Sequence, residues 1–395
     1  MKKPMQLYIH IPFCVKKCAY CDFLSFTADE QMQASYIKSM QKELDFYGSK
    51  YADQYISTIF IGGGTPSWLD ERAMASLMEC VYRNFEVAAD AEITIECNPG
   101  TVSDEKFATY KNIGINRLSI GLQSVNNEEL KTLGRIHTFE QFLRTYDKAR
   151  HHGFTNINVD LMSALPGQTP EGFISGLKIV LRLKPEHISA YSLIIEEGTP
   201  FYEKYQADVR LREAGRQTML LPTEDEEYRT TKMTQALLQS EGYHWYEISN
   251  FAKPGKECRH NIGYWKRVDY LGVGLGAASL IDNVRYSNTC DIYEYINYPE
   301  KMEHAMSRRY AVESSEVLTC DAQMEEFMFL GLRMIDGFHR DEFEQAFGVA
   351  IEGVYGAELK RLRQEELLMQ KEGCIRLTEK GIDVSNYALA QFLLS

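Results

Sequence analysis

The chain has 395 residues, of which 44% are hydrophobic and 25% charged, and its formal net charge is −13. This length is sufficient for two or three domains around a large buried core. The acidic balance argues against a general nucleic-acid binder, which needs a basic surface against phosphates. No apolar run reaches the roughly 18 residues of a transmembrane segment, and no cleavable signal is evident, so we expect a cytoplasmic protein.

Six short β-type runs recur through the first half of the chain, each followed by a turn and a helical pattern. Strands that alternate with helices at this spacing indicate βαβ units and a parallel sheet. With right-handed crossovers, they predict an α/β fold with a partial (β/α)6 barrel, and a doubly wound sheet is the alternative. The predicted strands are 6–11, 57–64, 92–99, 117–124, 156–167 and 187–193.

The alternation changes after about residue 205. Residues 224–251 predict a helix, a turn at Gly242 and a strand, and residues 259–281 predict a loop with short strands. From about residue 313 the chain is helical and ends in a hairpin-like segment and a last helix, which is typical of a winged-helix-like domain without a basic recognition surface. The predicted division is a core at 1–210, its extension at 211–300 and a mainly helical C-terminal domain at 301–395.

Three of the nine cysteines, Cys14, Cys18 and Cys21, lie directly after the first β-type run. On a strand-to-loop connection, this C-x3-C-x2-C spacing lets three thiolates hold one small cluster. A structural zinc site is the alternative, but it needs a fourth ligand, and the nearby His10 lies on a strand. A [4Fe–4S] cluster with one open iron accounts for the missing ligand. We expect buried free thiols at the scattered Cys80, Cys97, Cys258, Cys290, Cys320 and Cys374.

Polar residues and glycines gather where the predicted strands end. In barrel-like α/β folds the carboxyl edge of the sheet carries the chemistry, so these residues predict one site shared with the cysteine loop. They are the turn at 62–65 together with Glu96, Gln123, Asp160 and Tyr191.

The cysteine spacing, with Tyr20 between the last two cysteines, resembles the radical S-adenosylmethionine (SAM) superfamily. The resemblance implies a [4Fe–4S] cluster whose open iron binds SAM, and an electron donor as a partner. The glycine-rich "FIGGGTPS" at 60–67 resembles the turn that approaches SAM in that superfamily. Over most of the chain, "ECNP", "LSIGLQS", "LGR", "DLMSALPGQT" and "HNIGYW" resemble the HemN/HemW group, which contains oxygen-independent coproporphyrinogen III oxidases and heme chaperones.

By matching motif, the resemblance implies nine SAM-binding residues. Glu96 or Asp160 can accept hydrogen bonds from ribose hydroxyls, and Arg135 can pair with a carboxylate. The positions that match contacts to the cluster-bound SAM are Tyr8, Tyr20, Gly63 and Glu96. The positions that match a second SAM in the oxidase are Gly64, Thr65, Gln123, Arg135 and Asp160.

Two departures from the oxidase pattern favour the chaperone branch. The oxidase carries a fourth cysteine where this chain has Phe23, and a long extension precedes its cysteine loop. The "HNIGYW" at 260–265 matches the HNxxYW of the chaperone branch, which implies a heme-binding group of His260, Tyr264 and Trp265, with Arg259 and Lys266 as partners for propionates. From spacing alone, a loop-bonding histidine beside two core aromatics is the alternative.

The resemblance therefore predicts a protein that binds heme and passes it to acceptor hemoproteins. Its cluster and SAM would support folding, dimerisation into a homodimer, or heme transfer. The alternative function is oxidative decarboxylation of coproporphyrinogen III to protoporphyrinogen IX, and a radical methyltransferase is a third.

Overall fold

The computed structural model describes residues 2–302 and 310–394. Its strands, in chain order, are β1 (Lys3–Ile11), β2 (Gln54–Gly63), β3 (Val87–Cys97), β4 (Arg117–Gln123), β5 (Ile157–Ser163), β6 (His187–Ser192), β7 (His244–Glu247), β8 (Asn250–Ala252), β9 (Tyr270–Val273), β10 (Ala278–Ile281), β11 (Val284–Asn288), β12 (Val312–Val317), β13 (Phe338–His339), β14 (Leu368–Lys371) and β15 (Cys374–Leu377).

The helices are α1 (Glu30–Lys50), α2 (Glu71–Asn84), α3 (Asp104–Asn112), α4 (Asn127–Thr132), α5 (Phe139–His151), α6 (Pro170–Leu181), α7 (Pro200–Glu213), α8 (Glu224–Ser240), α9 (Arg259–Trp265), α10 (Ile292–Met302), α11 (Cys320–Gly331), α12 (Arg340–Phe347), α13 (Ile351–Gln364), α14 (Glu379–Asp383) and α15 (Ser385–Ala390). Among the residues described, no helix has both the length and the apolar content to cross a membrane.

The large sheet has the order β12-β11-β10-β9-β1-β2-β3-β4-β5-β6-β8-β7. Strands β1 to β6 are neighbours in chain order and pair in parallel. A doubly wound sheet would reverse its strand order at a switch point, and β1 to β6 show no reversal. The predicted α/β fold with a partial (β/α)6 barrel is confirmed. Beyond β6 the sheet continues with antiparallel pairs, and beyond β1 it continues with the parallel β9 and then with antiparallel pairs.

Helices cover one face of the sheet because the strands alternate in polarity. On β4, Leu118, Ile120 and Leu122 pack into the hydrophobic core, whereas Arg117, Ser119, Gly121 and Gln123 lie on the opposite face. All seven residues of β4 are buried, as expected of a central parallel strand. Burying one large aliphatic side chain contributes about 1.5–3 kcal/mol, so the sheet is a major source of stability. Parallel pairing also brings the last residues of the six strands to one edge, where Ile11 is opposite Gly63.

Residues 259–265 form a helix, so the predicted loop there is wrong. Helix α9 is fixed by buried contacts with distant strands: Gln6 Nε2 donates to the carbonyl of His260 at 3.1 Å, and the Thr58 hydroxyl lies 2.8 Å from His260 Nδ1. These partners are more than 200 residues away in sequence, and a local pattern does not reveal them. Likewise β12, at 312–317, extends the large sheet where we expected the helical region to begin.

The burial of the scattered cysteines is confirmed only in part. Cys290 and Cys320 are exposed and Cys374 is partly exposed, so the prediction is wrong for them. Cys320 begins α11 at the surface, and Cys290 lies in the turn before α10. Of the six scattered cysteines, Cys80, Cys97 and Cys258 are buried free thiols, as expected.

The C-terminal helices enclose a second hydrophobic core with a three-stranded sheet of order β13-β15-β14. The expected hairpin is the antiparallel pair β14–β15. Glu326 on α11 joins this unit to the large sheet through ion pairs with Arg267, at 3.1 Å, and Arg285, at 2.6 Å. The domain boundaries at 210/211 and 300/301 stay a prediction.

Candidate functional site

A cleft of about 670 Å³ extends along one face of the sheet, from the cysteine loop to α9 and the segment after α11. It brings together most of the residues that the sequence predicts for a cluster and SAM. Those that line it are Cys14, Cys18, Tyr20, Cys21, Gly63, Gly64, Thr65, Glu96, Gln123, Arg135 and Asp160. Tyr8 is not among them, because it is packed within the sheet with its hydroxyl 3.0 Å from His10 Nδ1.

The cysteine loop presents three free thiols, each beside a polar group. Thr65 Oγ1 lies 3.6 Å from the sulfur of Cys14, Arg135 Nη1 lies 3.7 Å from that of Cys18, and Ser25 Oγ lies 3.9 Å from that of Cys21. Donors of this kind stabilise thiolates, although burial raises the pKa of the Cys21 thiol.

The donor set fits a three-thiolate cluster. Within residues 2–302 and 310–394, no three His, Cys, Asp or Glu side chains converge as ligands of a single ion. Each thiolate of a [4Fe–4S] cluster binds a different iron, so the three sulfurs do not have to meet at one point as the ligands of a single zinc ion do.

The glycine turn packs tightly against the cysteine loop. At Gly64, a Cβ atom would lie 2.9 Å from the carbonyl oxygen of Phe13 and 3.0 Å from the sulfur of Cys14. At Gly63, φ is +115° and a Cβ would lie 2.5 Å from the ring of His10. Glycine is therefore required at these two positions for packing as well as for the expected approach to SAM. A side chain at either position would collide with β1 or the cysteine loop.

Two partly exposed carboxyl groups, Glu96 on β3 and Asp160 on β5, lie on the two strands that flank β4. Burial, together with the negative charge of Asp160, raises the pKa of Glu96 to about 8, although the backbone N–H of Gly63 donates to its Oε2 at 3.0 Å. Burial also raises the pKa of Asp160, which accepts hydrogen bonds from Asn158 Nδ2 at 2.7 Å and Ser119 Oγ at 3.3 Å. Both groups are placed to accept hydrogen bonds from a ligand's hydroxyls.

Arg135 comes from the loop after α4, yet its guanidinium is fixed at the strand edge. Its Nη2 donates to the carbonyl of Gly121 at 2.8 Å and to Asn98 Oδ1, and Asn98 Nδ2 donates to Thr65 Oγ1 at 2.7 Å. Asn98 is not among the residues predicted from the sequence, although its position directly after β3 in "ECNP" is a signal for it. This chain of bonds links the arginine to the turn beside the cysteines.

Gln123 is turned into the cleft by an irregular strand end. Its φ is +70°, which a non-glycine residue rarely adopts, and the β4–β5 register shifts between Gly121 and Gln123. The hydroxyl of Tyr191 donates to its Oε1 at 2.9 Å. Tyr191 lies at the carboxyl edge, as predicted, and holds the Gln123 side chain in place.

Helix α9 divides the HNxxYW residues between two faces. His260 and Tyr264 pack together with 3.0 Å between Nε2 and the hydroxyl, and the His260 ring also packs against Phe60. Asn261 and Trp265, one position further along, line the cleft. Burial lowers the pKa of His260 to about 3, and both of its ring nitrogens have protein partners.

The charged residues beside this motif do not line the cleft. Arg259 Nη1 donates to the carbonyl of Asp90 at 2.6 Å, and Lys266 is exposed. Two other arginines do line it, Arg117 on β4 and Arg333 after α11. The signal for Arg117 was its alternation with Ser119, Gly121 and Gln123, whereas no local signal pointed to Arg333.

Two regions of the chain match known families. Residues 8–178 match the Radical SAM superfamily, and residues 318–384 match the HemN C-terminal domain. A radical SAM domain implies a [4Fe–4S] cluster and SAM. The solved structure of coproporphyrinogen III oxidase (HemN) from Escherichia coli, a radical SAM enzyme, matches with a TM-score of 0.83 and 26% identity, over 99% of this chain and 90% of that chain.

Relatives that match over the full length carry a different name. The heme chaperone HemW of Lactococcus lactis is 35% identical over 100% of this chain and 98% of its own. The HemW proteins of Bacillus subtilis and Escherichia coli are each 35% identical, over 98% and 99% of this chain and 98% of their own lengths. The chain therefore belongs to the HemW family within the radical SAM superfamily.

Proposed function

We propose that this protein is a heme chaperone, which binds heme and delivers it to acceptor hemoproteins while its cleft holds a [4Fe–4S] cluster and SAM. The observation that carries the proposal is the 35% identity with HemW proteins over essentially the whole chain. The proposal includes a cytoplasmic location, an external electron donor and a homodimer. When bound, the cluster and SAM would supply one-electron chemistry to the cleft.

The predicted residues have complementary roles in this proposal. Cys14, Cys18 and Cys21 would hold a [4Fe–4S] cluster that has one iron available to SAM. Glu96 accepts from SAM hydroxyls, and Arg135 places a positive charge beside Cys18. These groups are buried or only partly exposed in the cleft, and an electrostatic contact is stronger there than in bulk water.

The mouth of the cleft is apolar in a way that suits a porphyrin. Phe23 and Ile194 both line it, and they are 69% and 68% exposed. Phe23 stands where the oxidase pattern has a fourth cysteine, so this chain has a flat apolar side chain in place of a thiol. Exposed aromatic surface beside a cavity is typical of a binding site.

His260 as a heme contact stays a prediction. Its ring is 1% exposed and is bonded to Thr58 and Tyr264, so iron binding through it requires the ring to leave one of those partners. Trp265 already faces the cleft. The visible spectrum of heme bound to His260→Ala, compared with the wild type, tests the contact directly.

The alternative is an oxygen-independent coproporphyrinogen III oxidase. The observation that favours it is the close structural match with HemN over 99% of this chain. Sequence similarity over the full length and Phe23 both favour the chaperone.

Anaerobic assays on the reconstituted protein separate the two functions. We expect heme titration, followed by visible absorbance, to saturate at a fixed stoichiometry. Incubation with coproporphyrinogen III, SAM and a strong reductant should give no protoporphyrinogen IX above the level of a protein-free control. Repeated turnover to protoporphyrinogen IX would overturn the proposal in favour of the oxidase.

A further inference from the structure

The end of the cleft far from the cysteines contains three buried N–H donors that have no acceptor. They are Nε of Arg117, Nε of Arg333 and Nε1 of Trp265, and none has a hydrogen-bond partner in the part of the chain that the structure describes. All three residues line the same cleft. Leaving a buried donor unpaired costs about 1–3 kcal/mol, and more for a charged group, so three together indicate a ligand that accepts from them.

Arg117 is the deepest of the three. Its side chain is 2% exposed, and it points to the cleft from the same face of β4 as Ser119, Gly121 and Gln123. Among the described residues its guanidinium has no ion pair within 4.0 Å. The oxygens of nearby Glu92 accept instead from Cys258 Sγ and from the backbone N–H groups of Arg259 and His260, at 3.6, 3.2 and 3.2 Å.

Arg333 and Trp265 form the other side of this region. The Arg333 guanidinium lies over the Trp265 ring, 5.1 Å from its centroid. The segment that carries Arg333 is anchored where the backbone N–H of Ile335 donates to the carbonyl of Tyr246 at 3.0 Å. The HemN C-terminal domain thus contributes a cation to a cleft that otherwise belongs to the large sheet.

The nearby acid does not occupy these donors. Glu247 lines the same region, and its Oε1 accepts from the backbone N–H of Ser249 at 3.1 Å. Burial raises the pKa of this carboxyl, while Arg333 opposes the shift. The two guanidinium groups therefore keep donors available to an additional acceptor.

We infer that Arg117, Arg333 and Trp265 form a subsite for a carboxylate, which under the proposed function is a propionate side chain of heme. A guanidinium binds a carboxylate through two parallel N–H donors, and the Trp265 ring offers a flat surface to the attached macrocycle. The subsite lies at the start of β4, whereas the predicted SAM residue Gln123 lies six residues further along the same strand, or roughly 20 Å away. Asp160, which is also predicted for SAM, lies on β5 opposite Gly121 and interacts electrostatically with Arg117.

The test compares heme with its dimethyl ester, in which both propionates are capped. We expect the unmodified protein to bind heme about tenfold or more tightly than the ester, and Arg333→Met to lose that preference while its ester affinity is unchanged. Arg117→Met should behave in the same way. Arg340→Gln is the matched control, because this arginine of the C-terminal unit has an exposed pair with Glu352.

The outcomes separate this subsite from the proposed function. Equal affinity of the unmodified protein for heme and its ester overturns the subsite, and this comparison does not depend on whether a variant folds. A loss of SAM affinity in Arg333→Met with heme affinity retained also overturns it, since the carboxylate bound would then be that of SAM. If the unmodified protein takes up neither heme nor its ester, the proposed function itself fails.

Discussion

At the scale of single residues, Glu96 is a carboxyl group that the fold keeps protonated near neutral pH. Loss of hydration and the charge of Asp160 across β4 raise its pKa from an ordinary 4.5 to about 8. Charging it after burial requires the loss of hydration next to a second acid, which is unfavourable. A bound cation or hydroxyl would offset the unfavourable ionisation of Glu96. Loss of hydration therefore destabilises the ionised form of the ligand-free protein and favours the binding of a ligand that pairs with this carboxyl group.

The first prediction concerns the stability of the ligand-free protein against pH. Because the folded pKa of Glu96 is above the unfolded one, the folded state holds an additional proton between about pH 4.5 and 8, and the free energy of unfolding falls as pH rises through this window. Glu96→Gln removes this contribution. We expect the variant to exceed the wild type by a few kcal/mol above pH 8 in urea denaturation.

Two features of the chain sharpen that measurement. The buried Glu43, away from the cleft, also has a pKa raised to about 8, so part of the pH slope should remain in Glu96→Gln. Glu128→Gln is the control, since this exposed residue on α4 should follow the wild-type curve. If Glu96→Gln ran parallel to the wild type from pH 5 to 9, the proposed protonation of Glu96 would be wrong.

At the scale of elements, the turn at 62–65 and the cysteine loop support each other. The backbone N–H of Gly64 donates to Ile11 at 2.8 Å, and that of Thr65 donates to Phe13 at 2.8 Å. The glycine turn therefore supports the loop that carries Cys14 through backbone hydrogen bonds. A cluster site built on such a loop depends on residues that bind no metal.

The second prediction is that Gly64→Ala reduces the iron content of the reconstituted protein to well below that of the wild type. Its Cβ would meet backbone atoms of Pro12 and Phe13 at 2.9 Å, and these cannot move without displacing Cys14. Iron analysis and circular dichroism on the same samples distinguish a lost cluster from a lost fold. Gly353→Ala on α13, where a Cβ meets nothing within 4 Å, should retain full iron; equal iron in both variants would contradict the proposed role.

Element boundaries and the contents of the site differ in how far the sequence predicts them. The six parallel strands are confirmed because each is an apolar run followed by a turn, and both signals are local. The loop predicted at 259–265 is wrong because a segment of seven residues spans only two helical turns and shows little helical periodicity. Their helix is stabilised by Gln6 and Thr58, which only folding brings near.

At the scale of the whole molecule, the C-terminal unit is joined to the sheet by a nearly buried ion cluster. The Glu326 side chain is 9% exposed and pairs with Arg267, which is 11% exposed, and with Arg285, which is 40% exposed. Removing one charged member of a buried ion pair leaves the charge of its partner uncompensated, which is strongly destabilising. This cluster also fixes the chain after α9, close to the cleft.

The third prediction is therefore that Glu326→Gln lowers the free energy of unfolding by about 2 kcal/mol or more, measured by guanidinium denaturation. The control variant is Glu352→Gln. The ion pair of Glu352 with Arg340 is about 40% exposed on both side chains, so this substitution should change the free energy of unfolding by less than about 1 kcal/mol. Similar small effects in both variants would show that the contact between the two units is not stabilised by this cluster.

The sequence by itself determined the parallel core, the cysteine loop and the residues expected at the strand ends, because alternation, turns and motif spacing are properties of neighbouring positions. Only the tertiary structure decided that Trp265 faces the cleft while His260 faces the strands, and that Arg333 enters the cleft from the C-terminal unit. These placements follow from packing between segments far apart in the chain. Which face of a short helix is buried depends on the surface that it meets, and that surface exists only in the folded protein.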